Sequence, residues 1–316
     1  MLQPLNYIIS RLHIRQLRLL IALDELGTLH RAADHVAISQ PGASKALHEI
    51  EITFGMPLFA RSTKGLVAND IGRCVIRYAR LIHSDLAHLH DEMHGILQGH
   101  GGHVAVGTIA GSVPLVSKAL TKLRQVQPGI SVQVVEGISS HLLKLLDEGR
   151  LDLAIARTSG SQHEDDYECL SLHPERLALV AGPEHSQHDN PTLSLRELHA
   201  YSWVVYPTGT PMRAVLEREF GEAGLEFPRY SLETSSTFTM LSLLSLLQED
   251  SQMVAVMPHS IACSSEGFGL LRRLPLELRS RTEPCSIIHR QGSSLSPLAT
   301  LLLGHLRNEQ EALAEE

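Results

Sequence analysis

Gln40, Pro41, Ser44 and Lys45 stand at the front of a helical stretch, with His48 one turn further on. These residue types suit contact with DNA base edges. Glutamine can pair with adenine through two hydrogen bonds, serine can bond to either base type, and lysine can reach guanine or a phosphate. Arg61 and Lys64 follow in a short hairpin and suit phosphate contacts that set register without reading sequence. A second group of polar residues sits at four candidate helix starts: Gly111-Ser112, Ser139-Ser140, Thr208-Gly209-Thr210 and Thr234-Ser235-Ser236. Free N–H groups and partial positive charge at helix N-termini attract carboxylates and polar hydroxyls. Each hydroxyl can also serve only as a helix cap, worth ~1 kcal/mol to its own helix. Arg213, in the first turn after Pro207-Thr208-Gly209-Thr210-Pro211, is the leading charged candidate beside them, and Arg157 the second.

Other chemistries find less support. His90 and His94 are spaced i, i+4, as metal ligands on a helix can be, but no Cys, Asp or Glu completes a site, and a solvated face explains them. His100-Gly101-Gly102 resembles an oxyanion motif, yet there is no G-x-S-x-G to accompany it. Cys74, Cys169, Cys263 and Cys285 lie far apart without a C-x-x-C, which suits reduced thiols rather than a zinc finger. No metal and no cofactor is expected. The start of the chain has neither a basic n-region nor a long apolar stretch, and no run approaches the length of a membrane span. A cytoplasmic protein without membrane contact is the expectation.

The elements that must position these groups are legible from periodicity and caps. Residues 14–26 read as an amphipathic helix closed by Gly27, and 29–36 as a short helix capped by Thr28. Ser39 caps a third helix over 40–54, closed by Gly55, with Pro41 tolerated in its first turn. Residues 62–69 read as a hairpin with Gly65 at its tip, and Asn69 can cap a helix from Asp70. In that helix Val75, Ala79, Ile82, Leu86, Leu89, Met93 and Ile96 recur at alternating spacings of 4 and 3. This is the a/d seam of a pairing helix, and the Gly-His stretch 98–103 that ends it reads as a hinge. Three short helices, a hairpin and a long helix describe a winged helix-turn-helix with a dimerising arm, whose third helix enters the major groove.

From residue 103 strands alternate with helices: strands at 104–109, 130–137 and 151–157, with helices at 112–126 and 139–148 between them. This order implies parallel βαβ units. After an irregular stretch at 159–168 come strands at 177–182, 203–206, 230–234, 253–258 and 285–290. Helices at about 212–223, 237–249 and 297–312 complete this part. The formal net charge is −8, but residues 11–80 carry +4, leaving −12 for the rest. A basic head on an acidic body lets the head approach phosphates while the body stays clear of them.

Residues 13–61 resemble the signature of LysR-type transcriptional regulators. The marks are Ala32-Ala33, Ser39-Gln40-Pro41, Ser44-Lys45, the Leu47/Ile50/Glu51 face, and Gly55 before Pro57-Leu58-Phe59 and Arg61. Val67-Ala68-Asn69-Asp70-Ile71-Gly72 departs from the family's Leu-Thr-x-x-Gly. The likeness continues through the linker helix and residues 135–157, so it covers nearly the whole chain. Residues 202–220 resemble the branch that regulates genes for sugar-binding proteins and aromatic-acid catabolism.

The resemblance implies a winged helix-turn-helix at 11–69, a linker helix and hinge at 70–100, and an effector domain at 101–316. That domain would be a two-lobed α/β fold like periplasmic binding proteins, with lobes at 101–161 plus 268–316 and at 162–267. A small effector (a carboxylate, sugar or similar catabolite) would lie between the lobes, where Ser112, Ser139, Thr210, Arg213 and Ser236 are the candidate contacts. The implied partners are double-stranded promoter DNA, RNA polymerase, and further copies of the chain: a dimer through 70–98 and a tetramer. The implied activity is activation of a catabolic operon, with the effector changing head spacing and DNA bending. A free solute-binding protein would have no use for residues 11–98, and an enzyme would need a catalytic constellation that is missing here.

Overall fold

The computed structural model describes residues 2–63, 65–98, 102–159, 166–228, 230–246 and 253–315. The chain divides into two units. One holds residues 1–104 with 129–131 and 144–152, and the other holds 105–128, 132–143 and 153–316.

The first unit begins with α1 (Leu5–Arg11), a helix that starts ahead of the boundary expected at residue 11. Then follow α2 (Ile14–Leu26), α3 (Leu29–His35), α4 (Gln40–Phe54), β1 (Phe59–Ser62), β2 (Gly65–Ala68) and α5 (Asp70–Gln98). The caps act as expected. The Thr28 and Ser39 hydroxyls accept from the Arg31 and Gly42 N–H groups, and Gly27 and Gly55 end α2 and α4 in left-handed geometry. Asn69 Oδ1 accepts from the Gly72 N–H at 2.8 Å, so it caps α5 despite its departure from the family pattern. Leu20, Leu23, Ala32, Ala33, Ala43, Ile50, Leu58 and Ile76 form one aliphatic core. Small Ala32 and Ala33 let the neighbouring helices approach closely, and removing such surface from water supplies most of the driving force.

In the second unit two five-stranded sheets carry the architecture. The first has the order β4–β3–β5–β12–β6, from β3 (His103–Thr108), β4 (Ser131–Glu136), β5 (Leu153–Ala156), β6 (Tyr167–Ser171) and β12 (Ser286–Arg290). The second has the order β11–β7–β10–β8–β9, from β7 (Leu177–Ala181), β8 (Ser202–Val205), β9 (Tyr230–Glu233), β10 (Met253–Pro258) and β11 (Arg272–Glu277). Helices α6 (Val113–Val126), α7 (Ser139–Asp147) and α12 (Pro297–Glu315) go with the first sheet. Helices α8 (Leu195–Leu198), α9 (Pro211–Glu222), α10 (Thr237–Leu246) and α11 (His259–Gly267) go with the second.

The parallel β3/β5 pair bears out the β–α–β order of residues 103–157. The sheets as a whole are mixed: β8 is parallel to β9 and β10, but β12 is antiparallel to β5 and β6, and β7 to β10 and β11. Two expectations need correction. Strand β6 belongs to the first sheet and β11 to the second. The chain therefore changes sheets at 172–176 and 278–285, not at 162 and 268. Strand β11, with the sequence Arg-Arg-Leu-Pro-Leu-Glu, also escapes the sequence reading. It lies at a sheet edge, where proline is tolerated and alternation is weak. The only tryptophan, Trp203, is fully buried, donates to the Leu198 carbonyl at 3.0 Å and packs edge-on against Phe220.

Candidate DNA interface and effector site

Helix α4 separates its two faces cleanly. Ala43, Leu47 and Ile50 point into the core, while Gln40, Pro41, Ser44, Lys45 and His48 are all exposed. The Glu51 carboxylate accepts from the Leu58 and Phe59 N–H groups at 2.8 and 3.4 Å. It thereby fixes the entry of the hairpin relative to α4. The hairpin also docks on the end of α2, since the Leu66 N–H donates to the Gly27 carbonyl at 2.8 Å. A β-carbon at Gly65 would collide with that same carbonyl, so this position needs glycine. Arg61 is exposed on β1, and Lys64 falls outside the described residues. Arg15 and Arg18 line one groove with Lys45. Sequence reading missed these two cations as site candidates, although their contribution to the basic head was visible.

The seam on α5 divides in two. Val75 packs against the core of its own unit and Ala79 is buried, but Ile82, Leu86, Leu89 and Met93 are 41, 38, 53 and 55 % exposed. The side chain of Ile96 lies outside the described residues. An aliphatic row is therefore left exposed along three turns of the helix. His90 and His94 stack on each other in solvent. Among the described residues no cluster of His, Cys, Asp and Glu could hold a metal, and no helix could cross a membrane.

In the second unit the five candidate effector residues fall into groups. Ser139 accepts from the Arg157 N–H at 3.0 Å, and Ser112 Oγ lies 3.7 Å from Cys285 Sγ. Ser236 caps α10 by accepting from the Thr239 N–H. Thr210 caps α9 by accepting from the Arg213 N–H and donates to the Pro207 carbonyl. The Arg213 guanidinium, only 6 % exposed, pairs with Glu217 at 2.7 Å and lies over the Phe227 ring at 3.8 Å. It braces its own helix and the segment beside it.

The arginine that gathers groups from the two segments connecting the sheets is Arg157. It follows β5 and is 8 % exposed. Its Nε donates to the Glu283 carbonyl at 3.0 Å, its Nη2 donates to Thr282 Oγ1 at 3.2 Å, and Nη2 lies 3.5 Å from Glu175 Oε2. Glu175, Thr282 and Glu283 all lie on the two segments that pass between the sheets, and the Thr282 N–H donates to the Glu175 carbonyl. Burial pushes the Glu175 carboxyl up, and Arg157 opposes the shift. Burial likewise raises the Cys285 thiol, with its hydrogen bond to Ser112 acting the other way. From the second sheet comes Tyr206, directly after β8 and 2 % exposed. Burial raises its phenol, the neighbouring Thr237 hydroxyl opposes this, and the charges of Glu175 and Glu136 add to it. The Tyr206 and Thr237 oxygens are both buried and neighbour each other, but their mutual approach falls short of hydrogen-bond geometry, and neither meets that geometry with another described residue. Glu175, Tyr206, Thr237 and Cys285 were not candidates from sequence. Only the strand end at Tyr206 carried a signal, because open α/β sheets hold ligands at strand ends.

Two family models match. The helix-turn-helix of bacterial regulatory proteins of the lysR family covers residues 14–73, and the LysR substrate binding domain covers 97–311. The chain belongs to the LysR family of transcriptional regulators. Within the family it is 32% identical to the HTH-type transcriptional regulator GbpR of Azospirillum brasilense over 308 residues, 96% of this chain and 89% of that one. GbpR of Rhizobium radiobacter is 30% identical, over 72% of this chain and 76% of its own. Among solved structures, the LysR family regulator CbnR aligns over 95% of this chain and 99% of its own, with a TM-score of 0.62 at 20% identity. The effector domain of QuiR in complex with shikimate aligns over 67% of this chain and 98% of its own, with a TM-score of 0.53 at 18% identity. This LysR regulator therefore pairs a DNA-binding helix-turn-helix with an effector-binding domain of two α/β lobes, and its partners are promoter DNA and a small molecule.

Proposed function

We propose that this LysR regulator activates a catabolic operon. It reads promoter DNA with the front of α4, pairs through the exposed part of the α5 seam and binds a small polar effector between the two sheets of the second unit. The exposure of Gln40, Ser44 and Lys45 over a fully buried Ala43/Leu47/Ile50 face carries the DNA reading. A helix held this way presents its N-terminal side chains to base edges. CbnR, which shares the fold, has been solved in complex with its target DNA. The Ile82/Leu86/Leu89/Met93 row supports a dimer; by family likeness, effector domains would join two dimers into a tetramer, and promoter-bound tetramers recruit RNA polymerase. The effector site is the convergence of Arg157, Glu175, Ser112, Tyr206 and Thr237. In-vitro transcription from the regulator's own promoter, with purified RNA polymerase and with or without the regulator, tests the sign of control. More transcript is the expected result, and less transcript would make the protein a repressor.

A further inference from the structure

The effector site already contains an anion of its own. Glu175 presses its carboxylate against the backbone at Gly111, so closely that a β-carbon there would collide with both carboxylate oxygens. The same carboxylate pairs with Arg157. Arg157 also donates to Thr282 and to the Glu283 carbonyl, while the Glu283 carboxylate accepts from Ser159. The one cation of the site is thus already held by a carboxylate of the chain itself, so an incoming carboxylate would find its counter-ion taken. What the site lacks is a well-aligned hydrogen-bond partner for two neighbouring buried hydroxyls, Tyr206 and Thr237. Leaving such groups unpaired is costly, and a ligand hydroxyl relieves that cost by accepting from one and donating to another.

We propose that Glu175 is a built-in occupant of an anion position formed by Arg157 and the Gly111 backbone, and that it restricts the effector to uncharged, hydroxyl-rich molecules such as sugars or polyols. This rests on the effector site described above. A neutral ligand would lie between Tyr206 and Thr237 on one side and the Glu175 carboxylate on the other. Its hydroxyls would supply donors to the carboxylate and an acceptor for the phenol. Glu175 also sits on a segment that passes between the sheets, so a ligand that hydrogen-bonds to it bears directly on the connection between the lobes.

The test has two arms. In the first, melting of the full-length protein is followed in sodium acetate against sodium chloride at equal ionic strength. The wild type should show no difference, whereas Glu175→Ala, with the anion position vacated, should show a saturable rise with acetate and none with acetamide. An acetate response equal in wild type and variant, or absent from the variant, overturns the built-in anion. If Glu175→Ala does not fold, the double variant Arg157→Gln/Glu175→Gln removes both charges. It should fold and ignore acetate, and Glu175→Ser, which also vacates the anion position, takes the place of Glu175→Ala in the comparison. In the second arm, calorimetry compares neutral aldoses and polyols with their aldonate, uronate and amine-bearing counterparts. A neutral member should bind the wild type at least about tenfold more tightly than its charged counterparts. Tighter binding of an acid or an amine, or no binding by any neutral member, overturns the ligand class. Neutral binding that survives Tyr206→Phe unchanged removes the site itself, a failure distinct from that of the class.

Discussion

On α4 the groups proposed to meet DNA follow one another within six residues and are exposed on one helix. In the second unit Arg157, Glu175, Tyr206 and Cys285 come from four separate stretches and meet only because the chain passes between two sheets. The first site is made of exposed side chains on a capped, well-packed helix, so its chemistry follows from local spacing. The second is made of buried side chains whose meeting depends on strand order. Most hydroxyls that looked like ligand contacts there are occupied with local work. Thr210 and Ser236 cap their own helices, and Ser139 holds the backbone of Arg157.

Three experiments bear on this contrast. The largest effect is expected from Leu86→Asp. Leu86 is 38 % exposed in the single chain, so a charge there should cost the fold little, but it would be unpaired and desolvated in a paired seam. Light scattering should show a smaller species. Operator affinity should fall by about two orders of magnitude, because one head supplies only half the phosphate contacts. An unchanged oligomer with unchanged affinity would mean that the seam pairs nothing. Arg213→Ala comes next. Loss of its Glu217 pair and its packing on Phe227 should lower stability by about 1–3 kcal/mol while effector affinity stays at the wild-type level. A tenfold loss of affinity at unchanged melting temperature would return Arg213 to the effector site. The smallest effect is a pH dependence. Burial, helped by the adjacent His188, lowers the proton affinity of His185 in the folded state. The unfolded chain therefore takes up more protons as pH falls below about 6.5, so the stability contribution of His185 is complete above that pH and is lost below it. The melting temperature should drop between about pH 7.5 and about pH 5.5, and His185→Gln should reduce that drop. Identical slopes in the two proteins would remove His185 as a cause.

Much of the fold is readable from residues whose role is local. Gly27, Thr28, Ser39, Gly55 and Asn69 each end or begin a helix where their chemistry predicts, because a cap needs only its own turn. The seam on α5 is readable as a period but not as a surface. Spacing cannot show that Val75 packs on its own unit and Ala79 is buried while Ile82 onward stays open. The lobe boundaries were misplaced because β6 and β11 join sheets distant in sequence, and no local pattern records which edge a strand will take. For the same reason Glu175 reads as an ordinary acid in a connecting segment until Gly111, 64 residues earlier, is found beneath its carboxylate.

The central claim, that the front of α4 reads DNA sequence, is tested most directly by binding isotherms of the Gln40→Ala/Ser44→Ala double variant. These would be measured on a duplex that the wild-type protein selects from a random pool and on a scrambled duplex of equal length. Each lost base contact should cost about 1–3 kcal/mol, so affinity for the selected duplex should fall by about two orders of magnitude or more. Affinity for the scrambled duplex, the salt dependence and the oligomeric state should stay as in the wild type. A double variant that still prefers the selected duplex as strongly as the wild type does would contradict the claim.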